Sequence, residues 1–378
     1  MAEGLAANRA RPCKIDSDRT SMHIPDGYLS PSTCAVLYGG TIAAWYVCLE
    51  RLKRVVLTRV VPLISVFAAF AFVVMMFNLP LPGGTTGHAL GVTIAAIVLG
   101  PWGAVMSTSL ALALQALFFG DGGITTLGAN CFNMAVIGSF VAYGCYRLLA
   151  ARAPLESQRR VVAAGVAGYV AANAAALAAA IELGIQPALF RDASGAPLYA
   201  PYPLKIAIPA ILIGHLTFAG IAEAIIAAGL VAYLQSADPA LLTATSGVAQ
   251  TSIAGSLRSP VTFRRLWATV ALLLILTPVG ILATGKAWGE WAPSDFANAQ
   301  TRSEITATSR QQEPPVTPPT GMQRMATIWT APFPAYAPAF VKSPALGYLL
   351  SAMFGVGVCL LIALFAKGRN RVGPEQVS

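Results

Sequence analysis

Residues 204–234 read LKIAIPAILIGHLTFAGIAEAIIAAGLVAYL, and this stretch decides the class of fold. Its charged or histidine side chains are limited to Lys205, His215 and Glu223. A helix needs roughly 20 mostly apolar residues to cross the hydrocarbon core of a bilayer. The stretch exceeds that length, so it predicts a transmembrane helix.

Eight further apolar segments accompany this one. They cover residues 31–49, 60–77, 89–100, 101–119, 130–150, 161–183, 263–283 and 344–366. Only Gly100-Pro101-Trp102-Gly103, a tight reversal or break, separates the third of these segments from the fourth. The whole chain is 56% apolar and 11% charged, whereas a soluble domain carries about 25% charged residues. We predict an all-α, polytopic membrane helix bundle, with a core of about seven helices and two C-terminal transmembrane helices, solvated mostly by lipid.

The distribution of Lys and Arg predicts the orientation. More than half of the 25 basic residues fall in alternate loops, while residues 78–88 and 120–129 contain none. By the positive-inside rule, these two loops lie outside the cell (inner) membrane and the C-terminus lies in the cytoplasm. The net charge of +9 then requires no nucleic acid partner.

Residues 1–21 violate this pattern, because they carry four basic residues and would lie outside. They also lack the apolar core of a signal peptide. We expect this extension to be removed, or the chain to begin at Met22. His23 would then be the second residue, offering its backbone amide and imidazole Nδ1 beside the terminal amine of Met22. Three such nitrogens suit Ni²⁺, Co²⁺ or Cu²⁺, whereas an uncleaved extension removes the amine.

His88 ends the loop at residues 78–88, on the same predicted face as His23. Asn78, Thr85, Thr86 and Asn130 are candidates to orient the two imidazoles, by location only. His215 and Glu223 lie eight residues apart on one helix face, and ionisable groups within a membrane are functional candidates by default. Asp26 and Asp121 could attract cations or serve in turns, while solvation at a helix end explains Glu182.

Four motifs carry a family resemblance: MHIPDGYLSP, NLPLPGGTTGHALG, GDGGITTLGANCFNMAVIG and GHLTFAGIAEAII. Over residues 22–234 they resemble the metal-capture component of cobalt/nickel energy-coupling-factor (ECF) transporters, the CbiM/NikM type. The resemblance implies that Met22, His23 and His88 bind the transported Ni²⁺ or Co²⁺. It also implies a transmembrane coupling subunit and separate ATPase subunits as partners, with no organic cofactor.

Beyond a predicted cytoplasmic linker at 235–262, residues 263–378 resemble the auxiliary CbiN/NikN subunit. Two helices bracket an extracytoplasmic loop containing GKAWGEW and GMQR, and the composition of residues 303–320, rich in Pro, Thr, Gln and Ser, predicts a flexible stretch.

Two other functions are alternatives to the capture of a metal ion for transport. An intramembrane metalloenzyme could use His88, His215 and Glu223, although the chain lacks an H-E-x-x-H helix. An ion-coupled secondary transporter should show paired broken helices, and only Gly100-Pro101 is a candidate break. The alanine-rich stretch 163–180 predicts close helix packing, either internal or against a partner. The sequence leaves Ni²⁺ against Co²⁺ and the oligomeric state open.

Overall fold

A computed structural model describes residues 23–53, 57–81, 85–243, 260–283 and 286–369. Its helices are α1 Pro31–Lys53, α2 Leu57–Met75, α3 Val92–Leu114, α4 Leu127–Ala150, α5 Gln158–Leu189, α6 Leu204–Ala237, α7 Pro260–Leu276, α8 Ala299–Thr308, α9 Thr320–Met325 and α10 Pro344–Arg369. Strands β1 Leu79–Leu81 and β2 Thr85–Gly87 form an antiparallel hairpin between α2 and α3. The extension 1–21, Met22 and residues 244–259 of the predicted linker lie outside the described residues.

Six helices within the described ranges are long and apolar enough to cross a membrane. They are Pro31–Leu52, Val92–Phe119, Leu127–Ala150, Gln158–Leu189, Leu204–Ala237 and Pro344–Ile362, with shorter apolar helices at Val61–Met75 and Trp267–Leu282. Many of their apolar side chains face outward, including Val36, Ile225 and Phe365, as lipid contact requires. The predicted polytopic α-helical membrane fold is confirmed.

The third and fourth apolar segments form a single helical element, α3, divided at Gly100. Gly100 has φ 75° and ψ 171°, a conformation that essentially requires glycine. The following Pro101 has no N–H to continue the helical hydrogen bonding. The predicted break therefore lies between two halves of one element.

Three stretches of the long helices are π-helical: Gln115–Phe119 at the end of α3, Cys131–Ile137 in α4 and His215–Ala219 in α6. A π turn widens the helix by one residue per turn and is frequent at functional sites. Two of these stretches carry side chains of the site described below.

Small residues bring α5 against α4 and α6. Ala164, Ala167 and Ala171 of α5 are fully buried, whereas Val162 and Val166 on the same helix are exposed. The alanine-rich stretch therefore packs inside the bundle, and larger apolar residues face outward.

The C-terminal region packs onto the core at two levels. Helices α7 and α10 lie against α2, and the segment between them covers the end of the bundle that holds the hairpin. There, the hydroxyl of Tyr28 donates to the carbonyl of Trp291 at 2.7 Å, and the N–H of Phe333 donates to the carbonyl of Phe118 at 2.9 Å.

The stretch predicted to be flexible, 303–320, makes several local contacts. It contains the end of α8, and the Arg302 guanidinium donates to the carbonyls of Pro314 and Pro315 at 3.0 and 2.7 Å. Ile305 and Ser309 are buried. Flexibility of this stretch stays a prediction.

Candidate metal site

The segment that follows Met22 is fixed to the start of α4. The N–H of Ile24 donates to Oδ1 of Asn130, and Nδ2 of Asn130 donates back to the carbonyl of Ile24, each at 3.1 Å. Pro25 restricts Ile24 to an extended conformation, which leaves both backbone groups available. The side chain of Asn130 thus holds the residue next to His23.

Asp26 anchors the same segment rather than facing a cation. Its carboxylate accepts from the N–H groups of Ile124 and Thr125 at 3.1 and 2.7 Å, and from the Thr125 hydroxyl at 2.5 Å. The next residue, Gly27, has φ 89°, and a side chain there would collide with the backbone of Met322. Turn formation therefore accounts for Asp26 and Gly27.

The hairpin and the start of α3 position His88, which follows β2 directly. Glu223 of α6 is fully buried and accepts from the N–H groups of Leu90 and Gly91 at 2.8 Å and of Thr93 at 3.2 Å. These donors lie just before and within the N-terminus of α3, which begins at Val92, and a negative charge is stabilised at the N-terminus of a helix. Glu223 therefore fixes the backbone immediately after His88.

His23 and His88 lie side by side. Their ring centroids are 5.1 Å apart with an interplanar angle of 86°, and their exposed fractions are 3% and 6%. His88 Nδ1 lies 2.9 Å from the carbonyl oxygen of Ala89, so Nδ1 carries the proton and Nε2 holds the lone pair. This tautomer suits metal ligation through Nε2.

The His23 ring is oriented by Asp121. Nδ1 lies 3.2 Å from Oδ1 and 3.4 Å from the carbonyl oxygen of Asp121, so Nδ1 carries a proton here. Nε2 of His23 is buried and has no hydrogen-bond partner among the described residues. A buried imidazole nitrogen without a partner is costly.

A cavity of about 110 Å³ adjoins the two imidazoles. Space of this size holds several waters or a partly hydrated ion. Its lining includes His23 and His88 and, of the other predicted residues, Thr85, Thr86, Asn130 and His215. Neither Asn78, which is buried before β1, nor Glu223, which caps α3, is among the lining residues.

The described side chains do not complete a metal site. Within the described residues, no group of three His, Cys, Asp or Glu side chains is arranged to hold a metal ion. Two imidazoles supply half of a four-nitrogen set, and the donors missing from it are the backbone nitrogens predicted at Met22 and His23. Metal ligation by Met22, His23 and His88 stays a prediction.

The proposed enzymatic grouping does not form a catalytic arrangement. The Glu223 carboxylate already accepts three backbone N–H groups, and His215 Nδ1 lies 2.9 Å from the carbonyl oxygen of Ile211 in its own helix. Glu223 is therefore committed to holding the backbone near His88.

Sequence reasoning missed two buried polar pairs near the cavity. Nδ2 of Asn133 donates to Glu182 at 2.7 Å, and Glu182 is 8% exposed, so its assignment to a solvated helix end was wrong. The Tyr336 hydroxyl donates to Oδ2 of Asp121 at 2.6 Å. Burial raises the pKa of Tyr336 well above its usual range and the Asp121 charge adds to the shift, so the phenol keeps its proton.

Comparison with known proteins identifies two family regions. Residues 23–241 match the family model CbiM, the cobalt uptake substrate-specific transmembrane region, and residues 264–368 match the PDGLE domain. The fused nickel transport protein NikMN of Rhodobacter capsulatus is 52% identical over 337 residues, which cover 89% of this chain and 94% of that protein. The probable fused nickel transport protein LarMN of Lactiplantibacillus plantarum is 40% identical over 346 residues, covering 90% and 96%.

A solved structure supports the same relationship. The crystal structure of a truncated transition metal transporter superposes with a TM-score of 0.53 at 53% sequence identity, covering 56% of this chain and 98% of that one.

Proposed function

Because the chain belongs to the cobalt uptake substrate-specific transmembrane family, we propose that it is the substrate-binding component of an ATP-driven ECF-type importer for Ni²⁺ or Co²⁺. The observation that carries this proposal is the buried pair His23 and His88, 5.1 Å apart beside a cavity. Two imidazoles with further nitrogen donors suit a late first-row divalent ion.

The ligand set comprises four nitrogens. The amine of Met22, the amide and Nδ1 of His23, and the imidazole of His88 surround the ion, provided that the mature chain begins at Met22. Ligation through Nδ1 replaces the contact between His23 and Asp121. Residues 22–234 then form the capture core, 235–262 a cytoplasmic linker and 263–378 an auxiliary region.

Capture takes place at the extracytoplasmic face of the inner membrane, where the positive-inside rule directs the His88 loop. A coupling subunit and separate ATPase subunits drive release. An ion held by four nitrogens leaves slowly unless a ligand is withdrawn, and in this mechanism the N-terminal ligands are pulled away from His88. Crosslinking this segment to the His88 loop would stop uptake under this mechanism, and undiminished uptake would contradict it.

Ni²⁺ is the preferred substrate in this proposal. The two relatives aligned over nine-tenths of the chain are named as nickel transport proteins. A nitrogen site also binds Ni²⁺ more tightly than Co²⁺ in the Irving–Williams order.

Equilibrium binding of Ni²⁺ to the purified chain that begins at Met22 tests the proposal. We expect one ion per wild-type chain and loss of that ion in His23→Ala and His88→Ala. His215→Ala removes the third histidine, whose Nδ1 is committed to its own helix, and should retain the ion. Retention of the ion by His88→Ala, or no binding by the wild-type chain, would contradict the assignment.

A further inference from the structure

One wall of the histidine cavity comes from the C-terminal region. Residues 287–290 line it together with His23 and His88. This wall is held on the core by the hydrogen bond between Tyr28 and Trp291, and by the indole N–H of Trp288, which donates to Ser309 at 3.0 Å. The auxiliary region therefore takes part in enclosing the site.

Glu290 is the acidic side chain of this wall. The residue is half-buried, but its Oε2 atom is buried and has no hydrogen-bond partner among the described residues. Leaving a carboxylate oxygen buried without a partner carries a large desolvation cost.

The nearby charges do not neutralise Glu290. Lys286 forms an ion pair with Asp295 at 2.5 Å. Burial raises the pKa of the Glu290 carboxyl well above its usual range, Asp121 raises it further and Lys286 opposes the shift. The carboxyl therefore lies in surroundings short of positive charge, and a divalent cation would supply that charge.

We propose that Glu290 binds the incoming divalent cation at the wall of the cavity and passes it to His23 and His88. The proposal rests on the proposed function and extends it to a residue of the auxiliary region. Glu290 does not join the two imidazoles in a three-residue metal cluster within the described structure. Glu290 therefore binds the ion transiently on its entry path and is not part of the final ligand set.

The rate of Ni²⁺ association tests this role, measured by stopped flow on the chain that begins at Met22 and includes the auxiliary region, with Ni²⁺ as the only ligand. Glu290→Gln should lower the association rate constant at least about tenfold, the lower end of local electrostatic effects on association, while one ion still binds at equilibrium. Glu304→Gln makes the same carboxyl-to-amide change at an exposed residue of α8 and should match the wild-type rate. Glu290→Asp keeps a carboxyl group and should retain most of the rate, so a loss confined to Glu290→Gln reflects the missing carboxyl and not misfolding.

Equal rates for Glu290→Gln and Glu304→Gln would overturn the proposal. Loss of the equilibrium-bound ion in Glu290→Gln would also overturn it, because Glu290 would then be a permanent ligand. Failure of the wild-type chain to bind Ni²⁺ would instead refute the proposed function, so the two failures are distinguishable.

Discussion

The hydroxyl of Tyr336 donates a hydrogen bond of 2.6 Å to Oδ2 of Asp121, a residue 215 positions away in the sequence. Oδ1 of the same carboxylate lies 3.2 Å from Nδ1 of His23. A chain of contacts therefore links the auxiliary region to a predicted metal ligand. Ala335 and Tyr336 both have positive φ, 51° and 58°, which non-glycine residues adopt only when surrounding contacts hold them.

Tyr336→Phe should weaken Ni²⁺ binding up to about tenfold, or about 1.4 kcal/mol. Without the Tyr336 donor, the Asp121 carboxylate accepts more strongly from His23 Nδ1, and this contact must break when Nδ1 binds the ion. Tyr348→Phe is the matched control: it removes a buried hydroxyl that donates to the Met76 carbonyl. Identical affinities for the two variants would exclude a role for Tyr336 in metal binding.

Glu223→Ala should lower the free energy of unfolding by about 3 kcal/mol, because three buried N–H groups lose a charged acceptor. Glu223→Gln retains one acceptor oxygen and should be affected less. Both variants should also bind Ni²⁺ more weakly, since the backbone after His88 is released. Thermal unfolding and equilibrium binding measure the two effects.

The surface variant Glu156→Gln makes the same charge change at an exposed residue. Stability of Glu223→Ala equal to that of this control would contradict the assigned role of Glu223.

Asn130→Ala should free the segment around Ile24, because both hydrogen bonds to its backbone are lost. Hydrogen exchange at the Ile24 amide should accelerate at least about tenfold, the factor that corresponds to roughly 1.4 kcal/mol, and Ni²⁺ should dissociate faster. Asn173→Ala, which alters an asparagine within α5, provides the comparison. Unchanged exchange at Ile24 would show that other contacts hold the segment.

The mature N-terminus should be Met22. Intact mass and N-terminal sequencing of protein purified from its native membrane would check this directly. Chains retaining residues 1–21 lack the terminal amine ligand and should bind Ni²⁺ much more weakly than chains beginning at Met22. Tight binding by a chain that retains the extension would contradict the amine chelate.

Local sequence patterns predicted the membrane fold well because apolar composition alone determines which segments can lie in lipid. The break at Gly100 was also predictable, since a glycine followed by proline interrupts a helix. The motifs around His23 and His88 marked two histidines that the structure brings together. Those inferences need only short stretches of sequence.

Contacts between residues far apart in the sequence could not be predicted from such short stretches. Tyr336 and Glu290 come from a region far along the chain, and nothing local indicates that they approach His23. Glu182 appeared solvated because its helix continues to Leu189, past the end of the apolar segment. Asn133, whose amide donates to Glu182, belongs to another helix. The residues around Glu182 therefore did not reveal this partner.

Anomalous diffraction at the nickel absorption edge, from crystals of the chain that begins at Met22 grown with Ni²⁺, would locate the bound ion directly. We expect one strong peak within ligand distance of both His23 and His88, with further density from the backbone nitrogens at Met22 and His23. A peak elsewhere in the bundle, or none near the two imidazoles at saturating Ni²⁺, would contradict this expectation.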